Sequence, residues 1–91
     1  MQNMKEYEVK SQVLKAMAHP IRLCMVRNLL KNQCNVTRMQ ECLDIPQSTI
    51  SQHLAKLKAA GIVEGQRKGL EICYKVVNDE AKALIETMFK E

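Results

Sequence analysis

Between Thr37 and Lys58 two helical patterns are separated by only three residues, Asp44-Ile45-Pro46. Proline breaks a helix interior because it lacks the N–H donor and its ring clashes with the preceding turn. One continuous helix is therefore excluded. Helix, tight turn, helix fits into about twenty residues, the size of a helix-turn-helix unit. In the first pattern Thr37 with Gln40 three residues later fits a capping box, and Met39, Cys42 and Leu43 supply an inward face. In the second, Pro46 to Lys58, the apolar residues Ile50, Leu54 and Leu57 stand at i, i+4, i+7. Gly61 follows as a natural residue to end it. The other face opens with Ser48, Ser51 and Gln52, and nothing apolar interrupts it before Ala55. A surface helix usually carries Glu and Lys there. A helix that touches base edges needs small donors and acceptors near its N-terminus.

The flanking segments frame this unit. Glu6 to Ala18 reads as a helix with Val9, Val13, Leu14 and Met17 on its apolar face and Met4 and Tyr7 near its start. His19-Pro20 ends it, and Pro20 suits the first turn of a second helix running to about Lys31. That helix is apolar nearly all round, with Arg22, Arg27 and Asn28 marking its outer side, which places it in the middle of the domain. After Gly61 the period changes. Ile62-Val63-Glu64 is a short strand, Gln66-Arg67-Lys68-Gly69 a basic turn, and Leu70, Ile72, Tyr74 and Val76 alternate with Glu71, Cys73 and Lys75. Asn78 caps a last helix, with Asp79 and Glu80 in its first turn, where the helix dipole favours them, and Ala81, Leu84, Ile85, Met88 and Phe89 along one side.

Helix, helix, helix-turn-helix, hairpin, helix is a mainly α (α+β) winged helix-turn-helix fold. It is expected as one domain over residues 1–91, with the helix-turn-helix at about 37–60, the wing at about 62–77 and dimerisation helices at about 5–18 and 78–90. So small a core cannot cover both faces of both terminal helices. They are therefore expected to form a two-fold homodimer that sets two recognition helices about one DNA turn (~34 Å) apart.

Charge and composition narrow the partner. Fourteen Lys and Arg against ten Asp and Glu leave a net charge of +4, a modest excess that favours a polyanion. With Tyr7, Tyr74 and Phe89 as the only aromatic residues, the chain lacks stacking platforms for single strands, so duplex DNA is the better expectation. No apolar run approaches membrane-spanning length and no signal-peptide core is visible, which predicts a cytoplasmic protein without a membrane partner. No phosphate-binding Gly-rich loop and no nucleophile–base set is present, so no enzyme and no cofactor is expected.

Three separated motifs resemble the ArsR/SmtB-type repressors: Leu14-Lys15-Ala16-Met17-Ala18-His19-Pro20-Ile21-Arg22-Leu23, Gln47-Ser48-Thr49-Ile50-Ser51-Gln52-His53-Leu54 with Leu57, and Ala60-Gly61-Ile62-Val63 with Gly69-Leu70-Glu71-Ile72-Cys73-Tyr74. The resemblance covers nearly the whole chain. It implies a homodimeric winged-helix repressor that binds an imperfect inverted repeat in double-stranded DNA and, in many members, is released by metals, oxidants or persulfides. The effector sites differ. Asn35-Val36-Thr37 stands where that family carries a Cys-Val-Cys metal box, and residues 78–91 contain neither His nor Cys. The chain is in this respect similar to the PagR-type members, which also lack a recognised metal site.

The DNA-binding candidates are Gln47, Ser48, Thr49, Ser51, Gln52 and Lys56 on the recognition helix, Arg67 and Lys68 on the wing, and Arg38 on the preceding helix. Gln47 and Gln52 are the best base readers, because Gln pairs bidentately with adenine. Thr49 lies nearer the packed side. Arg67 and Lys68, at the tip of the wing, suit phosphate or minor-groove contacts and Arg38 a phosphate, against the plainer reading of lysines and arginines that keep a surface soluble. His53 is expected to pack and hydrogen-bond within the helix-turn-helix, and His19 to cap or pack at a helix start. No two of the four cysteines form a CxxC, so no metal site is expected. Cys24 and Cys42 are expected in the core, Cys34 in an exposed loop and Cys73 on the accessible side of its strand. Cys24 and Cys34 are the candidate thiol switch. The other readings are a winged-helix module that grips a protein, and a metal-responsive repressor with a non-standard cysteine site.

Overall fold

The computed structural model describes residues 3–32 and 35–90. The elements run α1 Met4–Met17, α2 Pro20–Lys31, α3 Val36–Leu43, α4 Gln47–Ala59, β1 Val63–Lys68, β2 Glu71–Val76 and α5 Asp79–Met88. The two strands form one antiparallel hairpin. This is the winged helix-turn-helix arrangement.

Local chemistry sets most boundaries. The residue before a proline is driven to extended backbone, and His19 at φ −155°, ψ 132° separates α1 from α2. The same residue caps α2, its Nδ1 accepting the Ile21 N–H at 3.1 Å. Asn78 caps α5 in the same way, accepting from the Ala81 N–H at 2.9 Å. The start of α3 differs from the expected capping box. Asn35 is the cap, accepting from the Arg38 N–H at 2.8 Å, and Thr37 lies exposed inside the first turn. Asn is at least as good a cap as Thr and stands two residues earlier, so it captures the helix start. Asp44 then adopts the left-handed region at φ 53°, which short polar side chains tolerate, and turns the chain into α4. Helix α4 ends in a Schellman motif. Ile62 N–H donates to the Leu57 carbonyl and Gly61 N–H to the Lys58 carbonyl, each at 3.0 Å, with Gly61 at φ 73°.

The core gathers on α2. Met25, Val26 and Leu29 are buried against Val13, Ala16 and Met17 of α1, Met39 of α3, Ile50, Leu54 and Leu57 of α4, and Ile85 of α5. Deleting one such side chain, as in Leu57→Ala, costs about 2–5 kcal/mol.

Four details of side-chain placement depart from the sequence expectation. Arg22 is not on the outer side of α2: it is 8% exposed and lies on the stripe of Met25, Val26 and Leu29. Cys24 and Cys42, expected in the core, are both exposed. They fall on the solvent stripes of short helices whose inward faces Met25 and Met39 already fill. Leu70 is not part of the returning strand. With Lys68 paired to Glu71, Gly69 and Leu70 form a two-residue hairpin loop, and Leu70 is fully exposed. Gly69, at φ 66°, supplies the first loop position of a II′-type turn, which matches the twist of the strands. Last, Ile72, expected on the inward side of its strand, is 41% exposed.

Candidate nucleic-acid interface

Helix α4 is divided cleanly. Its Ile50, Leu54 and Leu57 stripe is buried, while Gln47, Ser48, Ser51, Gln52 and Lys56 are exposed and Thr49 is half-buried. Five of the six sequence candidates on α4 thus share the solvent side. Thr49 sits at the margin, nearer the packed side. Arg38 is exposed in the first turn of α3.

The hairpin refines the wing candidates. Arg67 and Lys68 are the last two residues of β1, next to the loop but not in it. Both are exposed, and the period of two sends them to opposite faces of the hairpin. Lys68 stands opposite Glu71, whereas Arg67 stands opposite Ile72. Register therefore gives Lys68 an opposing carboxylate and leaves Arg67 beside an apolar neighbour. Lys58, in the last turn of α4, places its Nζ 5.9 Å from the centre of the Tyr74 ring and so lies along the root of the wing.

Behind α4 lies a cluster that sequence reasoning missed in part. The Arg22 guanidinium donates from Nε to the Ala16 carbonyl at 2.5 Å and from Nη1 to His53 Nδ1 at 3.0 Å. Arginine has only donors, so His53 Nδ1 is the acceptor and its proton sits on Nε2. The His19 and His53 rings lie 4.4 Å apart at 45°. Burial, then the neighbouring His19, Arg22 and Lys56, hold the His53 pKa below its ordinary value of 6.5. The neutral ring is thus the form that fits. One buried arginine ties the end of α1, the start of α2 and the middle of α4 together. Arg22 had a readable signal: positions 22, 25, 26 and 29 form one helical stripe.

The thiols are separated by their surroundings. Cys24 is exposed on α2, with the Asn28 amide 3.6 Å from its sulfur. Cys42 is exposed on α3, and Cys73 is half-buried. Cys34 lies outside the described residues. Among the described residues no three His, Cys, Asp or Glu side chains converge on a point that could hold a metal ion. No helix among them is long and apolar enough to cross a membrane.

The two outer helices meet through an ion pair, Lys10 Nζ to Glu80 Oε2 at 2.6 Å, which holds the Lys10 pKa above its ordinary value. On the same two helices Val9 and Leu14 of α1 and Met88 of α5 remain exposed. Val13, Leu14, Ala83 and Leu84 line a groove there.

Comparison with known proteins fits this geometry. Residues 19–65, from the α2 cap through the start of the wing, match the model of the bacterial regulatory protein arsR family. The transcriptional repressor PagR of Bacillus anthracis is 40% identical over 82 residues, covering 89% of this chain and 82% of PagR. Its crystal structure superposes with a TM-score of 0.90 over 96% of this chain and all of that one, at 38% identity. The biofilm growth-associated repressor of Agrobacterium fabrum is 39% identical over 85% of this chain, which spans 66% of that protein's length. The transcriptional activator HlyU of Vibrio cholerae is 35% identical over 99% of this chain and 84% of its own. Its reduced form superposes with a TM-score of 0.87 over 97% of this chain and 96% of its own. The chain belongs to the arsR family of bacterial regulatory proteins and is a winged helix-turn-helix transcriptional regulator.

Proposed function

We propose that the protein is a homodimeric repressor that reads an imperfect inverted repeat in duplex DNA. The observation that carries the reading is the division of α4: a fully buried apolar stripe holds it in place while Gln47, Ser48, Ser51 and Gln52 face outward. Side chains of this type reach base edges in the major groove, with Gln47 and Gln52 as adenine readers. Thr49 and Lys56 flank them, and Arg67, Lys68 and Arg38 bind phosphates, which set register and affinity rather than sequence.

The dimer forms through α1 and α5, whose exposed Val9, Leu14 and Met88 and shared groove need a cover. Two-fold pairing of that surface places one α4 from each protomer on the same side of a duplex. Repression rather than activation follows the names of PagR and the Agrobacterium relative, against the activator HlyU.

Any thiol control runs through Cys24 or Cys34. Cys24 is open to solvent, and α5 carries no second thiol, so its oxidised form is a sulfenic acid or mixed disulfide rather than an α2–α5 disulfide.

Fluorescence anisotropy with the chain's own promoter and with random duplex tests the central reading. Preference for the promoter, with affinity falling steeply as salt rises, is the expected result. Equal binding to both duplexes counts against direct readout, and a fall in target transcript on gene deletion would mark an activator.

A further inference from the structure

Helix α5 carries two stripes that face different neighbours. Glu80, Ala83, Leu84 and Thr87 face α1 and line the apolar groove of the proposed dimer surface. Lys82, Ile85 and Glu86 of α5 and Phe89 at its C-cap face α2, and with Arg27, Leu30 and Lys31 they line a shallow, open cleft of about 600 Å³ that also reaches Lys90. The volume lies in the range of small-molecule sites, roughly 300–1,000 Å³.

The two sides differ in charge. On the α1 side Lys10 and Glu80 neutralise each other at 2.6 Å. On the α2 side the described lining residues include four basic side chains, Arg27, Lys31, Lys82 and Lys90, and one carboxylate, Glu86. The floor is apolar: Ile85 is 4% exposed and Leu30 is half-buried. One wall is a cation–π pair, with the Arg27 guanidinium over the Phe89 ring, 4.4 Å from its centre. Such a pair offers ring surface to an apolar group and N–H edges to an anion.

We propose that the α2–α5 cleft binds a small amphipathic carboxylate, an apolar body with one anionic head. The apolar body lies on Leu30, Ile85 and Phe89, and the head sits between Lys31 and Lys82, the exposed ammonium groups that the two helices bring to the cleft. None of the lining residues belongs to α4 or the hairpin, so the site stands or fails independently of DNA recognition.

Amide NMR titration of the full chain without DNA tests this, with decanoate as the probe and decanol and decyltrimethylammonium as its uncharged and cationic counterparts. Decanoate is expected to shift resonances of α2 and α5 and to bind at least about tenfold more tightly than decanol. The double variant Lys31→Glu/Lys82→Glu, at two exposed positions, should remove that preference, and Arg67→Ala/Lys68→Ala should keep it. Equal affinity for decanoate and decanol would show that the cleft's cations do not select the anionic head and would overturn the proposal. So would shifts confined to the wing, a charge-reversed variant that binds like the parent, or the absence of decanoate binding.

Discussion

Arg22→Met is the sharpest test of how the recognition helix is held. Methionine keeps most of the buried aliphatic stem and removes both donors. Two acceptors then lose their partner, the Ala16 carbonyl and His53 Nδ1, which Arg22 reaches at 2.5 and 3.0 Å. A buried acceptor left without a donor costs about 1–3 kcal/mol, so two cost about 2–6 kcal/mol. Relief from burying a guanidinium returns part of this, since apolar replacement of a buried charge often stabilises. His53 is only half-buried, and water can serve its Nδ1 once the arginine is gone. The expected net loss is therefore about 2 kcal/mol. With a urea slope of about 1–2 kcal/mol per molar for a chain this size, the unfolding midpoint falls by roughly 1–2 M. The measurement compares parent and variant at one protein concentration, because dimerisation makes the midpoint concentration-dependent. A double-mutant cycle with His53→Leu isolates the contact between them, and a coupling of at least about 0.5 kcal/mol is expected. A loss below about 0.5 kcal/mol, or strict additivity in the cycle, would refute the tether.

Further outcomes follow from the same contacts. Gln47→Ala with Gln52→Ala should lower discrimination between operator and random duplex by roughly 1–3 kcal/mol per lost base contact, with fold and dimer intact; equal losses on both duplexes would argue against base readout. Arg67→Ala should reduce the slope of log affinity against log salt by about 0.9 for one lost phosphate contact, and Lys68→Ala by less, since Glu71 already faces Lys68; equal slopes for the two would remove the distinction drawn from register. Because the folded-state pKa of His53 lies below 6.5, the unfolded chain binds its proton more readily; this stability is fully present above about pH 6.5 and is lost as pH falls through the folded value. Denaturation of the parent at about pH 7.5 and about pH 5 should show a larger acid loss than His53→Gln, which keeps an acceptor for Arg22, and identical losses would sink the assignment.

The helical periods carried most of the architecture. Ile50, Leu54 and Leu57 are buried where their spacing puts them, and the change from a period of 3.6 to a period of two after Gly61 coincides with a Schellman end and a hairpin. The departures on the helices have one cause: burial follows position rather than residue type. Arg22 reads as polar and Cys24 as apolar, yet 22 lies on the stripe of Met25, Val26 and Leu29, and 24 lies with Asn28 and Lys31. Burial follows the helical angle, and an arginine at a core angle is kept there by the acceptors that meet it. Those acceptors come from α1 and α4, so no local pattern announces them. The hairpin loop was legible only to its neighbourhood. Gly69 marks a turn, but whether Leu70 opens a strand or closes a loop depends on pairing Lys68 with Glu71, which is a contact between strands.

Helix α2 touches both the recognition helix and the α5 cleft. Its first turn reaches α4 through Arg22, and its last turns form the cleft with α5 through Arg27, Leu30 and Lys31. Between them Met25, Val26 and Leu29 are at most 2% exposed, so this stretch of α2 is packed on its core side without slack. A close-packed interior passes displacement along rather than absorbing it. If an anion held by Lys31 and Lys82 were to shift α2 against α5, the Arg22 tether is the contact through which α4 would feel it. By linkage, whatever factor such a ligand imposes on DNA affinity, DNA must impose on the ligand. Measuring decanoate affinity with and without operator, and operator affinity with and without decanoate, therefore gives one number twice. A shared factor different from one would show that the cleft and the recognition helix are coupled, and a factor of one would leave them as independent sites on a shared core.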